Sequence, residues 1–391
     1  MDSLIIKLSK TKTLWIRSGF WRGLKIITAR LFVFAKLLCV QDGEVLFITG
    51  GVGDSALYRT HNVAEELREH GFKASVTISD NPFLVGLAKK YKIFIFHRTI
   101  FNDKVEKMIR EIKKNKKEII FDTDDLVYDP KFSPFMDYFQ EMSPSEQEPY
   151  KKGIGTEIVR DPYVKTCTTI TSFLAQLLKK EGKNVFVVPN KFSNAELKFT
   201  QELSNKRKSD DGVVRIVYAS GTISHNKDFA TIKDALLLVA KKHKNVRYIF
   251  MGPLDIPSEL TELKDQVELI PFSPRKEFFT KLSEMDINLA PLEQENPFCQ
   301  SKSAIKFTEA GALAIPTIAV NNRTFSEAID DGVDGFLAAT TDEWIEKISN
   351  LIENRKLRQQ IGKKAQEKVL KKYSNKNSNN LEYYEYLRSK L

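Results

Sequence analysis

The sequence predicts an α/β protein made of two doubly wound domains in succession. The chain has 391 residues, which is longer than one hydrophobic core usually supports. Buried-strand patterns alternate with helix patterns, as is typical of parallel sheets covered by helices on both faces. This alternation stops at a polar, charged segment, residues 198–212, and then starts again.

The first half opens with an apolar run that ends in glycine, EVLFITG at 44–50, followed by a helix pattern at 55–72. Further strands are predicted at 73–79, 92–98 and 118–125, a polar helix at 103–117, and 168–190 completes this half. Residues 130–160, rich in Pro, Glu, Lys and Tyr, indicate an insertion or a mobile loop.

The second half repeats the pattern, with a helix predicted at 228–244. Its strands are predicted at 213–221, 246–252, 266–272, 286–292 and 315–320. The resulting expectation is a first domain over 44–195, a linker over 196–212, a second domain over 213–371, and a final helix within 372–391 that packs back on the first domain.

The N-terminal segment, residues 1–43, predicts a basic amphipathic helix. Residues 1–40 carry eight Lys or Arg against one acid, interleaved with Trp, Phe and Leu, which suits a helix lying on an anionic membrane surface. The alternative is a helix packed on its own domain with a solvated basic face. No apolar run reaches the roughly 18 residues of a spanning helix. Nucleic acid is not expected, because no binding motif is present.

Metal and redox chemistry find little support in the composition. Cys39, Cys167 and Cys299 are far apart, and the five histidines have no metal-ligand spacing. This favours a reducing cytoplasm and predicts neither a metal nor another cofactor.

Three segments follow predicted strands, where open parallel sheets bind ligands. In the first, ITGGVGDSALYR, glycines 50, 51 and 53 permit a tight turn close to a ligand, although a plain strand-to-helix turn explains them equally. In the second, YASGTISHNKDF, Lys227 is placed to reach a phosphate. Alternatively, Asp228 caps the helix and Lys227 is an exposed loop residue.

The third segment, NPFCQSKSAIKFTEAGALAIPTIAV, combines charges with small apolar residues. If 301–313 is helical, Lys302, Lys306 and Glu309 lie along one face. A solvated Lys306–Glu309 pair, worth under about 1 kcal/mol, is the alternative. Because the surrounding residues imply buried packing, an anionic ligand held by the lysines, with the carboxylate accepting hydroxyl hydrogen bonds, accounts better for these residue types.

These segments carry a family resemblance. The order GTISHNKDF, VRYIFMG, PFSPRKEFF, KSAIKFTEAGALAIPTIAV and DGVDGFLA resembles the second domain of family 4 glycosyltransferases, which have the GT-B fold. FITGGVGDSALYRTHNVAEELREHGF and FLAQLLKKEGKNVFVVPN are similar to that family's first domain. FDTDDLVYD resembles a subgroup that often makes bacterial surface polysaccharides.

The resemblance implies two Rossmann-like domains with a cleft between them. It implies transfer of a hexose or deoxyhexose from a UDP- or dTDP-type nucleotide diphosphate sugar to a glycan or lipid-linked glycan, with retention. The enzyme would act in the cytoplasm, peripherally on the inner face of the cell membrane. A non-hydrolysing sugar-nucleotide epimerase and a catalytically weak glycosyltransferase-like subunit are the alternatives.

The resemblance also assigns residues. Glu309 would bind the ribose, and the catalytic group would be Lys227, Lys302, Lys306 and His97, with the lysines on the diphosphate and His97 near the donor sugar. The remaining donor-binding positions are Gly221, Thr222, Phe272, Ser301 and Ser303. Two of these depart from the family pattern, since Thr222 stands where an arginine is usual and Ser301 where the first glutamate of a pair is usual.

The acceptor is expected to enter from the first domain. Gly51, Gly53, Arg59, Asp124 and Asp125 are the predicted contacts. The two aspartates could instead cap a turn or order a loop. We do not interpret DTDD as a metal-binding site of the D-x-D type, because GT-B enzymes generally do not need a metal.

Overall fold

In the computed structural model the protein folds as two α/β domains, each built on a six-stranded sheet. The structure describes residues 24, 28, 37–206, 211–221 and 225–391. The predicted doubly wound architecture is confirmed. The predicted N-terminal helix falls mostly outside the described residues, as does Thr222. Within the described part of the chain, no helix is long and apolar enough to cross a membrane.

The first sheet has the strand order β2-β1-β3-β4-β5-β6, and all its strand pairs are parallel. The strands are β1 Val45–Thr49, β2 Ala74–Ile78, β3 Ile93–His97, β4 Glu118–Thr123, β5 Thr166–Thr169 and β6 Asn184–Val187. The order reverses between β1 and β3. The carboxyl ends of these two strands therefore flank the crevice where open α/β sheets bind ligands.

Helix α1 of this domain contains a π-helical turn, Leu57–Asn62, between the α-helical pieces Asp54–Ala56 and Val63–Glu69. Such turns are frequent at functional sites. The other helices are α2 Leu84–Leu87, α3 Asp103–Lys114, α4 Pro144–Lys152, α5 Thr156–Val159 and α6 Ser172–Lys180. The segment 130–160 thus contains helices α4 and α5, preceded by two 3₁₀ turns, Pro130–Phe135 and Phe139–Glu141.

The second sheet has the order β12-β11-β10-β7-β8-β9, again with parallel pairs. The strands are β7 Val214–Ala219, β8 Val246–Met251, β9 Val267–Ile270, β10 Ile287–Ala290, β11 Thr317–Val320 and β12 Phe336–Ala338. Here the order reverses between β7 and β10. The loops after these two strands carry the second and third candidate segments.

The helices from the domain junction onward are α7 Asn194–Asn205, α8 Asn226–Ala230, α9 Lys233–Lys242, α10 Ser258–Thr261, α11 Arg275–Leu282, α12 Pro297–Ser301, α13 Ile305–Ala312, α14 Arg323–Ala328, α15 Thr341–Glu353, α16 Arg355–Lys372 and α17 Leu381–Arg388. A 3₁₀ turn, Lys264–Gln266, precedes β9.

A helix follows each of the two crossings of the chain between the domains. The segment predicted as a linker, 196–212, contains most of α7, which starts with a capping box formed by Ser193 and Glu196. Its Leu197 is buried in a core cluster of the second domain. At the other end of the chain, Tyr383, Tyr384 and Leu387 of α17 are buried against strands of the first domain.

A close backbone approach at the first crevice gives a test of this fold. A Cβ added to Gly50 would lie 1.9 Å from the carbonyl oxygen of Arg98, whereas one added to Gly51 meets nothing within 4 Å. Arg98 itself has a φ of +45°. We expect Gly50→Ala to lower the free energy of unfolding by about 1–3 kcal/mol in urea titrations, because the strand ends must separate. Gly51→Ala is the matched control, and equal stability of the two variants would contradict the packing.

Candidate active site

The carboxyl ends of the two sheets meet at one interdomain site. The Tyr58 hydroxyl of α1 donates to Glu309 Oε1 of α13 at 3.0 Å. The Asn190 amide, at the junction, donates to the Ser303 hydroxyl at 3.4 Å. Both crevices predicted from the strand orders therefore open onto the same space, with Lys302, Lys306 and Glu309 on its second-domain side.

The prediction of one helix over 301–313 is wrong, because the structure has two short helices in this region. Helix α12 ends at Ser301, Lys302 is extended with φ −61° and ψ 147°, and α13 begins only at Ile305. The reason is local: the Asn296 side chain caps α12 and Pro297 occupies its first turn, so a separate short helix forms. Lys302 consequently lies at the junction of two helices rather than on the face of one.

Lys306 is held in a largely dehydrated position. Its amine donates to the carbonyl oxygen of Ala219 and lies 4.9 Å from the centre of the Tyr218 ring. Burial lowers the pKa of Lys306 to about 8, although the charges of Glu309 and Asp228 oppose the shift. The ammonium is thus poorly compensated, which favours binding of an anion nearby.

Glu309 is joined to the first domain through Arg275. Arg275 donates to Glu309 Oε1 at 3.1 Å, to Glu196 Oε1 and to the Tyr58 hydroxyl, and its guanidinium lies 4.6 Å from the centre of the Tyr58 ring. Burial raises the pKa of Glu309, and the charge of Arg275 opposes that rise. Nothing in the sequence predicts the role of Arg275. The available signal is its position directly after Pro274, in the quoted segment PFSPRKEFF.

The other predicted donor residues differ from one another in exposure and in the contacts that they make. Ser301 is 0% exposed and its hydroxyl donates to the carbonyl oxygen of Phe298, so it does not reach the cleft. Lys227 is exposed, and its nearest carboxylate is that of Asp137 in the first domain, at 3.7 Å. Gly221 is exposed and Phe272 half-buried.

His97 lies at the end of β3 in a chain of hydrogen bonds. Its Nδ1 is 2.8 Å from Asp122 Oδ1 and its Nε2 is 2.9 Å from the Ser55 hydroxyl, which donates to Asp124 Oδ2 at 2.7 Å. Burial opposes ionisation of Asp122, but the charge of Arg59 and the hydrogen bond from His97 outweigh it and lower the Asp122 pKa. An ionised Asp122 can only accept, so His97 Nδ1 donates to it.

Arg59, Asp124 and Asp125 were expected to contact the acceptor, but in the structure each makes hydrogen bonds within the first domain. Arg59 is 1% exposed and forms a bidentate pair with Asp122, so it positions Asp122 beneath the site. Asp124 and Asp125 both accept from Arg98, and Asp125 Oδ1 also accepts from the amide of Val127. The turn-ordering alternative therefore describes Asp125. Asp124, bonded to both Arg98 and Ser55, is the aspartate linked to His97.

The depressed pKa of Lys306 predicts a pH dependence of stability. In the ligand-free protein the folded pKa of about 8 lies below the ordinary value of about 10.4. Between these values the unfolded chain binds the extra proton, so stability rises with pH. We expect wild type to gain about 1–2 kcal/mol relative to Lys306→Met between pH 7 and pH 10, measured by urea unfolding. Parallel stability curves would contradict the lowered pKa of this half-buried lysine.

The sequence of the second domain matches a known protein family, and solved structures resemble both domains. Residues 200–368, less than half of the chain, match the family model described as glycosyl transferases group 1. No curated protein sequence matches this chain significantly.

Solved structures resemble most of the chain. HepE from Anabaena, in complex with UDP, is 14% identical, with a TM-score of 0.61 over 88% of this chain and 100% of HepE. A glycosyltransferase from Rickettsia africae is 14% identical, with a TM-score of 0.59 over 89% and 99% of the two chains. Sucrose-phosphate synthase from Thermosynechococcus elongatus is 11% identical, with a TM-score of 0.59 over 88% and 98%. The protein therefore has the GT-B fold, and its second domain is similar to glycosyl transferases of group 1.

Proposed function

We propose that the protein is a glycosyltransferase that moves a hexose or deoxyhexose from a UDP- or dTDP-type nucleotide sugar to a glycan or lipid-linked glycan. One observation carries the proposal: Lys302, Lys306 and Glu309 lie at the strand-order reversal of the second sheet, within the residues that match the glycosyltransferase family. In this proposal the pathway is bacterial cell-surface polysaccharide synthesis.

The donor would bind with its nucleotide on the second domain. Glu309 Oε1 already accepts from Tyr58 and Arg275, which leaves Oε2 to accept from a ribose hydroxyl. Lys302 and Lys306 would pair with the diphosphate, which removes the unfavourable isolation of the Lys306 charge. HepE, which shares the fold, has been solved with UDP and with UDP-glucose.

The chemistry would depend on charge that develops on the leaving diphosphate. As the bond between the sugar C1 and the phosphate oxygen breaks, the two lysines stabilise the departing anion. In the retaining route, the acceptor oxygen bonds to C1 on the same face, and its proton passes to the leaving phosphate oxygen. The acceptor would approach past Gly51 and Gly53, beside His97 and Asp124.

Direct measurement of turnover tests this proposal. With a panel of UDP-, dTDP-, GDP- and ADP-sugars and membrane-lipid extracts as acceptors, wild type should release nucleoside diphosphate. Lys306→Ala and Glu309→Ala should each lower kcat/KM about 10²-fold or more, because each removes a charge from the donor site. Lys241→Ala, on the exposed end of α9, is the matched control and should retain wild-type turnover.

The outcomes of this assay separate three classes of protein. Unchanged donor binding and turnover in both site variants would refute the assignment of the donor site. Isomerisation of a nucleotide sugar without any acceptor would identify an epimerase instead. Donor binding without turnover by wild type would identify a non-catalytic subunit.

We also propose that residues 1–40 hold the protein on the inner face of the cell membrane. Their basic and aromatic composition supports this. We expect the full chain to float with phosphatidylglycerol-containing liposomes in a density gradient, and a variant lacking residues 1–40 to stay at the bottom. Vesicles of phosphatidylcholine alone are the control, because they lack the anionic charge. Equal flotation of both proteins would contradict membrane binding by this segment.

A further inference from the structure

The position where the family resemblance predicts the first glutamate of a donor-binding pair cannot contact the donor here. Ser301 is 0% exposed, and its hydroxyl is engaged with the carbonyl oxygen of Phe298. A donor sugar carries several hydroxyl groups, and a polar group that holds one of them must lie at the surface of the cleft. Another residue near Lys302 and Lys306 would have to accept that hydrogen bond.

His225, in the loop after β7, has an imidazole fixed by a buried carboxylate. Its Nδ1 lies 2.8 Å from Asp228 Oδ2, and Asp228 is only 2% exposed. The other oxygen, Oδ1, accepts from the Glu293 amide at 3.0 Å and from the Cys299 thiol at 3.1 Å. Asp228 therefore ties the loop after β7 to the segment after β10. The carboxylate is ionised, since its pKa is lowered despite burial, so it holds the proton of His225 on Nδ1.

Two sets of contacts connect the segment that carries His225 with the segments that carry Lys306 and Lys302. The Tyr218 hydroxyl donates to the His225 carbonyl oxygen at 3.3 Å, and the Lys306 amine lies 4.9 Å from the centre of the same Tyr218 ring. Cys299, bonded to Asp228, also accepts a hydrogen bond on its carbonyl oxygen from the Lys302 amide at 3.3 Å.

The imidazole is uncharged at neutral pH. Burial lowers the pKa of His225 to about 4, the charges of Lys302 and Lys306 lower it further, and Asp228 opposes the shift. With Nδ1 protonated, Nε2 carries a lone pair. It is a hydrogen-bond acceptor, and the imidazole is close enough to Lys302 and Lys306 for their charges to lower its pKa.

We propose that His225 Nε2 accepts a hydrogen bond from a hydroxyl of the donor sugar, in place of the glutamate that Ser301 replaces, and that Asp228 is the positioning residue that keeps Nε2 an acceptor. This inference rests on the proposed glycosyltransferase function. It assigns the sugar, as distinct from the nucleotide, to His225 at the start of α8.

Calorimetric binding to paired ligands tests the assignment. UDP-glucose with UDP, dTDP-glucose with dTDP, GDP-mannose with GDP, and ADP-glucose with ADP are the probes. For the pair that wild type binds, we expect His225→Ala to weaken binding of the nucleotide sugar about 3- to 10-fold while leaving that of the nucleoside diphosphate within about twofold. His225→Gln, whose amide oxygen can replace Nε2, should recover most of the loss.

His243→Ala is the matched control, because His243 lies before β8, at the amino edge of the same sheet, where its Nε2 is 3.2 Å from the Ser349 hydroxyl. We expect it to bind both ligands of the pair as wild type does. Melting curves of each variant report whether it is folded.

Asp228→Asn tests the positioning role by a spectroscopic readout. The Asn oxygen must accept from the Glu293 amide and the Cys299 thiol, so its NH₂ faces Nδ1 and forces the proton to Nε2. Nitrogen-15 NMR of histidine-labelled protein should show this change of tautomer, with His225 identified among the five histidines by its loss in His225→Ala. Nucleotide-sugar binding should fall as it does in His225→Ala.

The outcomes are distinguishable. Equal weakening of both ligands of a pair, or no change in either, overturns the role of His225 and leaves the proposed function standing. An unchanged tautomer in Asp228→Asn overturns the positioning role of Asp228. If His225→Ala does not fold, the loss of the His225 signal in His225→Gln gives the assignment. Wild type that binds no nucleotide sugar of the panel overturns the proposed function and this inference together.

Discussion

The guanidinium of Arg275 is the contact on which the shape of the cleft depends. It donates to Tyr58 of the first domain, to Glu196 at the start of the connecting helix, and to Glu309 of the second domain. All these partners are largely shielded from water, so loss of the guanidinium would leave two carboxylates without compensation. This contact holds the two strand-order reversals face to face, together with the Tyr58–Glu309 and Asn190–Ser303 hydrogen bonds.

Around that contact the site is electrostatically unfavourable when it contains no ligand. Burial lowers the pKa values of Lys306 and His225 and raises that of Glu309, so each charged form is disfavoured. Glu66 behaves differently from Glu309: Lys191 pairs with it, Ser378 and Tyr384 donate to it, and its pKa is lowered. Perturbed ionisation of several groups around one cleft is the pattern expected of a binding site.

The sequence predicts the architecture because each strand and helix depends mainly on the residues within it. Strands buried on both faces are continuous apolar runs, and the glycines and polar residues after them mark the carboxyl edges where ligands bind. It also identifies Lys306 and Glu309, because two charges among Ala, Gly and Leu are conspicuous. The start of α13 is harder to predict, since it depends on the Asn296 cap and on Pro297 in the helix before it.

What the sequence does not predict is set by contacts between distant residues. Arg59 follows a glycine-rich turn and could have faced the cleft, but its partner Asp122 lies on β4, beneath the site. Ser301 occupies a position known from the family resemblance, yet its burial follows from the packing of α12. Tyr58 and Arg275 come together only once both domains have folded. His225 stands in a quoted motif, but its fixed tautomer depends on Asp228, Glu293 and Cys299 in three dimensions.

A crystal structure of the protein with an intact nucleotide sugar, chosen from those of the panel that it binds, tests the assignment of the donor site most directly. We expect the ribose on Glu309 Oε2 and the diphosphate between Lys302 and Lys306, at the reversal between β7 and β10. A nucleotide bound on the first domain, or with its diphosphate away from both lysines, would contradict it.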